Sequence, residues 1–512
     1  MLSFVTGSIR KEYPDCLLIH WIKNYMYFLQ RIYSLILNKL IVTQKINKKI
    51  RSAVIFICCF FLTSFYIAYF DINNTYQLIN NNTKCNIICG AVLVVLVLFS
   101  VDRPLKCVAW NKPLFWLFFA AGAGIFIISL IHPVGSGYRT MGIMMMVGFP
   151  CLYFVWNNRG DYESLFSSLS EASMLTGFFV YLQFSYLSIH GELLNQGGRV
   201  SGFFINSNMF SMFGVMMVCS ATYMFLAKKQ SWIWFVINTF SYAMGWDIIL
   251  LSVSRAALLI GLGSVFSLAI FEPKCREKEI TTKKKKEKAI KIAVVFSVVF
   301  IFFFIGDKLV DTNSIIVYRQ QVKAEQEQQE DVPQQSENGE NTAESVTDSE
   351  IEAPEEITDN NTDSFVNRLD TNNGVDFSAG RLQLWSQYAS HLNLLGNSFN
   401  KKDVLEMTGG YVTHAHNNFL EFGYRCGVPV ALLHIALELY AGIICLIFLF
   451  NKKYNKPENL FAIVFMVCYA VYSMLDVATL PFERPAPFFF YMLLTIVFGE
   501  TAQGIIENDE CE

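Results

Sequence analysis

A chain of 512 residues that is 53% hydrophobic and 15% aromatic, with only 16% charged residues, is too apolar for an ordinary soluble enzyme, since soluble domains carry roughly 25% charge. The formal charge of −3 excludes little, because the two signs are segregated along the chain. The 13 cysteines lie mostly in apolar blocks or basic segments and form neither a disulfide framework nor a Cys-x-x-Cys metal site.

Residues 1–51 are basic and interrupted, and they lack the compact apolar core and small-residue cleavage site of a leader peptide. Within them, residues 17–42 space Lys23, Arg31 and Lys39 among bulky apolar residues, which predicts a basic amphipathic helix on the inner leaflet. Apolar blocks of spanning length, roughly 17–25 residues, then predict about twelve transmembrane helices. Nine fall in residues 52–306: Ser52–Phe70, Cys85–Val101, Leu114–Ile131, Thr140–Trp156, Ser164–Leu187, Met209–Ala227, Trp232–Leu251, Ala256–Phe271 and Ala289–Gly306. Three more fall in residues 428–500: Val428–Phe450, Leu460–Leu475 and Ala486–Gly499, followed by a tail at 501–512.

Lysine and arginine bias orients the bundle. With the N-terminus inside, the cytoplasmic loops collect Arg103, Lys106, Lys112, Arg159, Lys228 and Lys229, and above all the run "EPKCREKEITTKKKKEK" at 272–288. Residues 307–427 then form one large extracytoplasmic loop. Its stretch 324–363 has fourteen Asp and Glu residues and no Lys or Arg, which predicts a disordered acidic spacer. Its remainder, 364–427, regains aromatic residues and is expected to fold on the outer face with short surface helices. The fold class expected is an all-α polytopic membrane protein.

Polar residues that break the positive-inside pattern gather on that outer face. Arg199 lies in "GGRVSGFFINSN", and Arg255 in the short turn "LSVSRAALL" between the seventh and eighth spans. Arg381 opens "SAGRLQLWSQYASHL", in which Leu382, Trp385, Ala389 and Leu392 form a stripe at helical spacing and Ser378 is the expected cap. A guanidinium in the first turn of a helix, beside free backbone N–H groups, makes an anion site. His416 and Asn417 stand at the start of the helix that leads into the tenth span. His414-x-His416 is half of a metal site with nothing to complete it, so no metal is expected. Asp476 and Glu483 lie at the outer ends of the last two spans, within reach of an arginine partner, and Glu171, Asp247 and Glu438 are costly inside spans. Asp247 is near enough in sequence to pair with Arg255.

With "GGRVSGFFINSNMFS", "LSVSRAALLIGLG", "SAGRLQLWSQY" and "HAHNNFLEFGYRCGVPVALL" in this order, the chain resembles the O-antigen ligase and O-antigen polymerase family of bacterial envelope glycosyltransferases over residues 190–450. It departs from the family at Asn206-Ser207-Asn208, where Asn-Pro-Asn is common, and at "NLLGNSFN", where Gly396 stands alone. The resemblance implies a GT-C-like fold and an undecaprenyl-pyrophosphate-linked saccharide donor, used outside the cytoplasmic membrane with a glycan acceptor. A flippase and a chain-length regulator would be its neighbours, and nucleic acid has no part. It implies pyrophosphate binding by Arg199, Arg255 and Arg381, with His416, Arg255 and Arg381 in the catalytic constellation. Asn206, Asn208, Trp385, Asn417 and Glu483 would support the site.

The chemistry agrees with that implication. A departing lipid pyrophosphate needs fixed cations at the headgroup plane, and a neutral imidazole can take the acceptor hydroxyl's proton near pH 7. No cofactor is required. Polymerisation of repeat units is the leading expectation, and a ligase or a protein O-oligosaccharyltransferase would use the same site. A lipid-linked oligosaccharide flippase would place its charges along a central cavity and show internal repeats, and none is evident here. An envelope sensor or structural protein would not depend on the arginines at all.

Overall fold

A chain that must satisfy every backbone polar group without water does so with helices, and helices make up most of this computed structural model. It describes residues 47–69, 82–100, 113–132, 136–148, 162–196, 199–204, 207–227, 231–275, 282–330, 381–397, 399, 401–408, 414–450 and 457–474. Among the described residues, five helices have the length and apolar composition to cross a membrane: Ser164–His190, Ser207–Ala227, Trp232–Leu251, Lys286–Ala324 and Val428–Ile447. Shorter apolar helices cover Trp116–Ile131, Arg255–Phe271 and Leu460–Ser473.

In chain order the helices are α1 (Lys48–Tyr69), α2 (Asn82–Ser100), α3 (Pro113–Ile131), α4 (Ser136–Ile143) and α5 (Tyr162–His190). α4 runs into a π-helical turn at Met144–Gly148, so the fourth expected span is only partly a regular helix in the described residues. A small antiparallel ladder of β1 (Leu194–Gln196) and β2 (Arg199–Gly202) follows, pairing Gln196 with Arg199 and Asn195 with Val200. This short hairpin is a local addition to a mostly helical chain, which remains compatible with the all-α expectation. Its signal stood in the sequence, because Gly197-Gly198 between two short runs is a hairpin pattern. Then come α6 (Ser207–Ala227), α7 (Trp232–Leu251), α8 (Arg255–Cys275), α9 (Thr282–Glu330), α10 (Arg381–Ser390), α11 (Lys401–Met407), α12 (Asn418–Cys426), α13 (Val428–Phe450) and α14 (Pro457–Ser473). The twelfth expected span, the amphipathic segment 17–42 and the tail 501–512 lie outside the described residues.

α6 is the axis of the bundle. Almost every residue of it is buried, and it packs against α5, α7, α8, α14 and β2. Its crossing with α7 is backbone on backbone. A Cβ at Gly214 would lie 2.6 Å from the Gly245 carbonyl oxygen, and one at Gly245 would lie 2.8 Å from that of Gly214. Small residues at such crossings let helices approach closely where apolar burial alone gives no preference over lipid. Some polar side chains within the bundle are spent locally or across helices: Thr222 donates to the Val218 carbonyl at 2.7 Å, and Thr63 and Thr176 share a 2.9 Å bond between α1 and α5.

Ring contacts fix the directions. Phe166 meets Tyr223 at 5.4 Å and Phe184 meets Phe210 at 5.6 Å, so α5 runs antiparallel to α6. Tyr223 meets Phe461 at 6.1 Å while Cys219 lies beside Cys468, so α14 is antiparallel to α6 as well. The start of α6, the hairpin, the end of α7, the start of α8 and the end of α14 therefore share one end of the bundle.

The expected loop beginning at residue 307 begins as helix instead. α9 is 49 residues long and runs unbroken past Gly306 into the acidic stretch, ending at Glu330. The composition is too polar to bury a core, but Gln, Lys, Ala and Glu are good helix formers, and extending an existing helix needs no new nucleus. Lys308 pairs with Asp311 at 2.7 Å on the exposed face. Asn313 accepts from the Leu193 amide at 3.0 Å, tying the extension to the chain just after α5. Residues 331–380, including most of the acidic spacer and Ser378, lie outside the described residues.

Candidate active site

Each piece of the site begins with a local reason for its backbone. β2 starts at Arg199, and the half-buried guanidinium reaches two other elements. Its Nε donates to the Ser252 carbonyl at 3.1 Å, and its Nη2 donates to Asn208 Oδ1 at 2.7 Å in the first turn of α6. Ser252 closes α7, its hydroxyl donating to the Ile249 carbonyl at 2.8 Å. Ser254 caps α8, accepting from the Ala257 amide at 3.4 Å. Arg255 is then the first residue of α8 and is half-buried. Arg199 is thus anchored to the turn that leads into Arg255, with Asn208 as its second anchor.

Between Ser252 and Ser254, Val253 has φ 48°. A β-branched residue in the left-handed region is a genuine outlier, and such strain costs of order 1–3 kcal/mol and persists only where the surroundings enforce it. The only other non-glycine residue with positive φ among the described residues is His416, at φ 49°. Both lie inside the segments nominated by their side-chain chemistry.

The His416 segment is held on both sides. Trp385 donates through Nε1 to the Ala415 carbonyl at 3.0 Å, joining α10 to this segment one turn after Arg381. Asn417 caps α12, its Oδ1 accepting from the Phe419 amide at 3.0 Å and the Leu420 amide at 3.1 Å, and its Nδ2 donates to the Met474 carbonyl at 3.3 Å. Met474 follows α14 at the hairpin end of the bundle, so His416 and the Arg199–Arg255 turn share that end. The rings of His414 and His416 are 4.2 Å apart. Among the described residues no three metal-ligating side chains cluster.

Beneath this segment is a small second core of Leu384, Tyr388, Val404, Ala415 and Tyr424. The apolar stripe expected on α10 is not the face that this core buries, although Leu392 at its end packs against the core. Leu384 and Tyr388 are the buried pair, whereas Leu382 and Ala389 are exposed. Two partners turn the helix: the Trp385 indole is drawn to Ala415, and Tyr388 packs on Tyr424 with ring centres 5.1 Å apart. Burial pushes the phenols of Tyr388 and Tyr424 and the thiol of Cys426 above their ordinary values, so all three stay protonated. Burial would lower Arg425, but Glu421 together with Tyr138 and Tyr388 more than compensates, and the guanidinium stays charged.

The loop after α10 explains the lone Gly396. Gly396 (φ 73°) and Gly427 (φ 87°) lie back to back. A Cβ on Gly396 would run into the Arg425 carbonyl, and one on Gly427 into that of Leu394. Asn397 donates from its backbone to the Tyr424 carbonyl at 2.6 Å, and Val428 to Asn393 at 2.9 Å, so loop 393–397 clasps the end of α12. Replacing Gly396 with alanine is expected to lower the unfolding free energy by about 2–4 kcal/mol, from strain plus a clash with backbone that cannot yield. Thermal unfolding of the solubilised protein, followed by tryptophan fluorescence, measures it.

Several expected residues fall elsewhere. Asp247 is engaged by the Tyr181 hydroxyl at 2.8 Å and packs against Gly306 of α9, where the sequence had suggested Arg255 as its neighbour. Glu438 lies 3.1 Å from His434 in a buried i,i+4 pair on α13, and Glu171 is half-buried in α5. Asn206, Asp476 and Glu483 lie outside the described residues. Sequence reasoning missed Ser252, Val253, Glu421 and Arg425. Only the last two carried a signal, a Glu placed just after an N-cap and an Arg four residues beyond it. No family model matches this chain, and no curated protein matches it.

Proposed function

We propose that this chain is a glycosyltransferase of the cytoplasmic (inner) membrane, with about twelve GT-C-like spans. In this reading it polymerises undecaprenyl-pyrophosphate-linked repeat units on the extracytoplasmic face. The observation that carries the reading is the placement of backbone strain: Val253 and His416 hold left-handed conformations in the two segments that bear the nominated cation and base.

The acceptor hydroxyl attacks the anomeric carbon of the donor. As that C–O bond forms, the bond to the lipid pyrophosphate breaks and its electron pair leaves with the phosphate, where Arg255 and Arg199 meet the growing charge. Arg381, in the first turn of α10, adds a third cation. The hydroxyl proton passes to His416, the segment that Trp385 and Asn417 hold in place. Asn208 keeps Arg199 aimed, and Asn206 and Glu483 are assigned supporting roles in the same reading.

Purified protein in lipid nanodiscs, given lipid-linked donor extracted from cells in which the chain is deleted, is expected to yield a ladder of lengthened lipid-linked glycans on gels. A single transfer to another acceptor would replace polymerisation with ligation. Donor left unconsumed would remove the enzymatic reading altogether.

A further inference from the structure

We infer that Glu421, braced by Arg425, is a positioning residue that holds His416 in its left-handed conformation by accepting the backbone amide of Ala415. The inference rests on the reading of His416 as proton acceptor. Ala415 is fully buried, and its amide donates to Glu421 Oε2 at 2.9 Å. Its carbonyl accepts from Trp385, so both of its backbone groups are committed to side chains of other turns. Asn417 fixes the chain on the far side through α12 and Met474. With both neighbours pinned, the backbone between them is confined, and His416 adopts φ 49° there.

Ordinary helix capping does not require this carboxylate. Two of the free donors of the first turn of α12, Phe419 and Leu420, are already taken by Asn417. Ala415 lies two residues before that cap, outside the helix. Glu421 therefore acts on the segment that carries the imidazole.

The carboxylate is 2% exposed, and a buried charge is costly unless paired. The partner is Arg425, one turn later on the same helix, whose Nε bonds Glu421 Oε1. The Arg425 guanidinium lies over the Tyr138 ring at 5.9 Å, so the cation is confined in turn. Buried ion pairs of this kind contribute little net stability compared with apolar replacements, which makes geometry the reason for this one.

Two double variants of the full chain separate acceptor from charge: E421L/R425L removes both, and E421Q/R425L keeps an amide oxygen for the Ala415 N–H. The E421L/R425L protein is expected to fold, because an apolar pair replaces an ionic one. In that variant deuterium exchange at residues 415–416, read by mass spectrometry of peptides spanning 413–420, should quicken by at least about tenfold. With the extracted donor lipid, kcat should fall by about 10²-fold, as expected for a displaced catalytic group, and KM should stay near its original value. E421Q/R425L should recover the exchange protection and most of kcat. Unchanged exchange in E421L/R425L would overturn the inference, as would equal loss of protection in the glutamine variant. Faster exchange in E421L/R425L, in a protein whose His416→Ala form still turns over normally, would uphold the positioning and remove the base from the mechanism.

Discussion

Replacing Arg255 with lysine is expected to reduce glycan transfer by about 10²–10³-fold, the usual cost of removing one preorganised charge-stabilising group. Lysine keeps the charge but loses the planar fork that holds two phosphate oxygens together. Little else should change. Arg255 is half-buried at the first position of α8, and the cap that starts this helix belongs to Ser254. Stability should stay within about 0.5 kcal/mol. In cells the variant should leave lipid-linked donor accumulated outside the membrane, measured by lipid extraction and mass spectrometry, and shorten the glycan ladder. Wild-type chain lengths from this variant would rule out the pyrophosphate-binding role.

Replacing His416 with glycine should divide stability from activity. At φ 49° the histidine pays a left-handed penalty that glycine does not, so the variant is expected to gain about 1 kcal/mol of unfolding free energy. Loss of a general base should lower kcat by about 10²–10⁴-fold at the same time. Asparagine, which tolerates this region but takes no proton near neutrality, should leave stability near its starting value and activity as low as in the glycine form. A destabilised glycine variant would mean that the surroundings do not enforce the conformation, and full activity would remove the imidazole from the chemistry.

Much of the candidate site was legible as a set of nominations because its chemistry is local in sequence. Arg199, Arg255 and Arg381 were singled out by an outer-face cation count that the positive-inside pattern does not explain and His416 by its place at a helix start, whereas Trp385 and Asn417 came as supporting residues from the family resemblance. What joins them was not legible. The Arg199–Ser252 bond spans 53 positions and the Trp385–Ala415 bond spans 30, and no periodicity encodes either. The same holds for strain, since "LSVSR" reads as any helix end until φ is measured at Val253. On α10 the stripe was legible, but the inward pair Leu384 and Tyr388 was not, because Tyr388 is buried by packing on Tyr424, 36 positions away. The extension of α9 was misjudged for a separate reason. Composition predicts whether a segment can bury a core, and a solvated helix that grows out of a packed one has no need to.

That long helix also has a charge order with a consequence of its own. Its 49 residues rise about 74 Å, more than twice the hydrocarbon thickness of roughly 30 Å. Lysines stand at 283–286, 288 and 291 near its start, and Glu325, Glu327 and Glu330 at its finish. The peptide dipole favours the reverse arrangement, anions at the first turn and cations at the last. The rod is therefore charged against its own dipole, and its end charges do not help it to be helical. They give it instead a polarity along its length: an anionic membrane surface would attract the lysine tip and repel the glutamate tip, and that difference would decide which way up such a rod enters a bilayer.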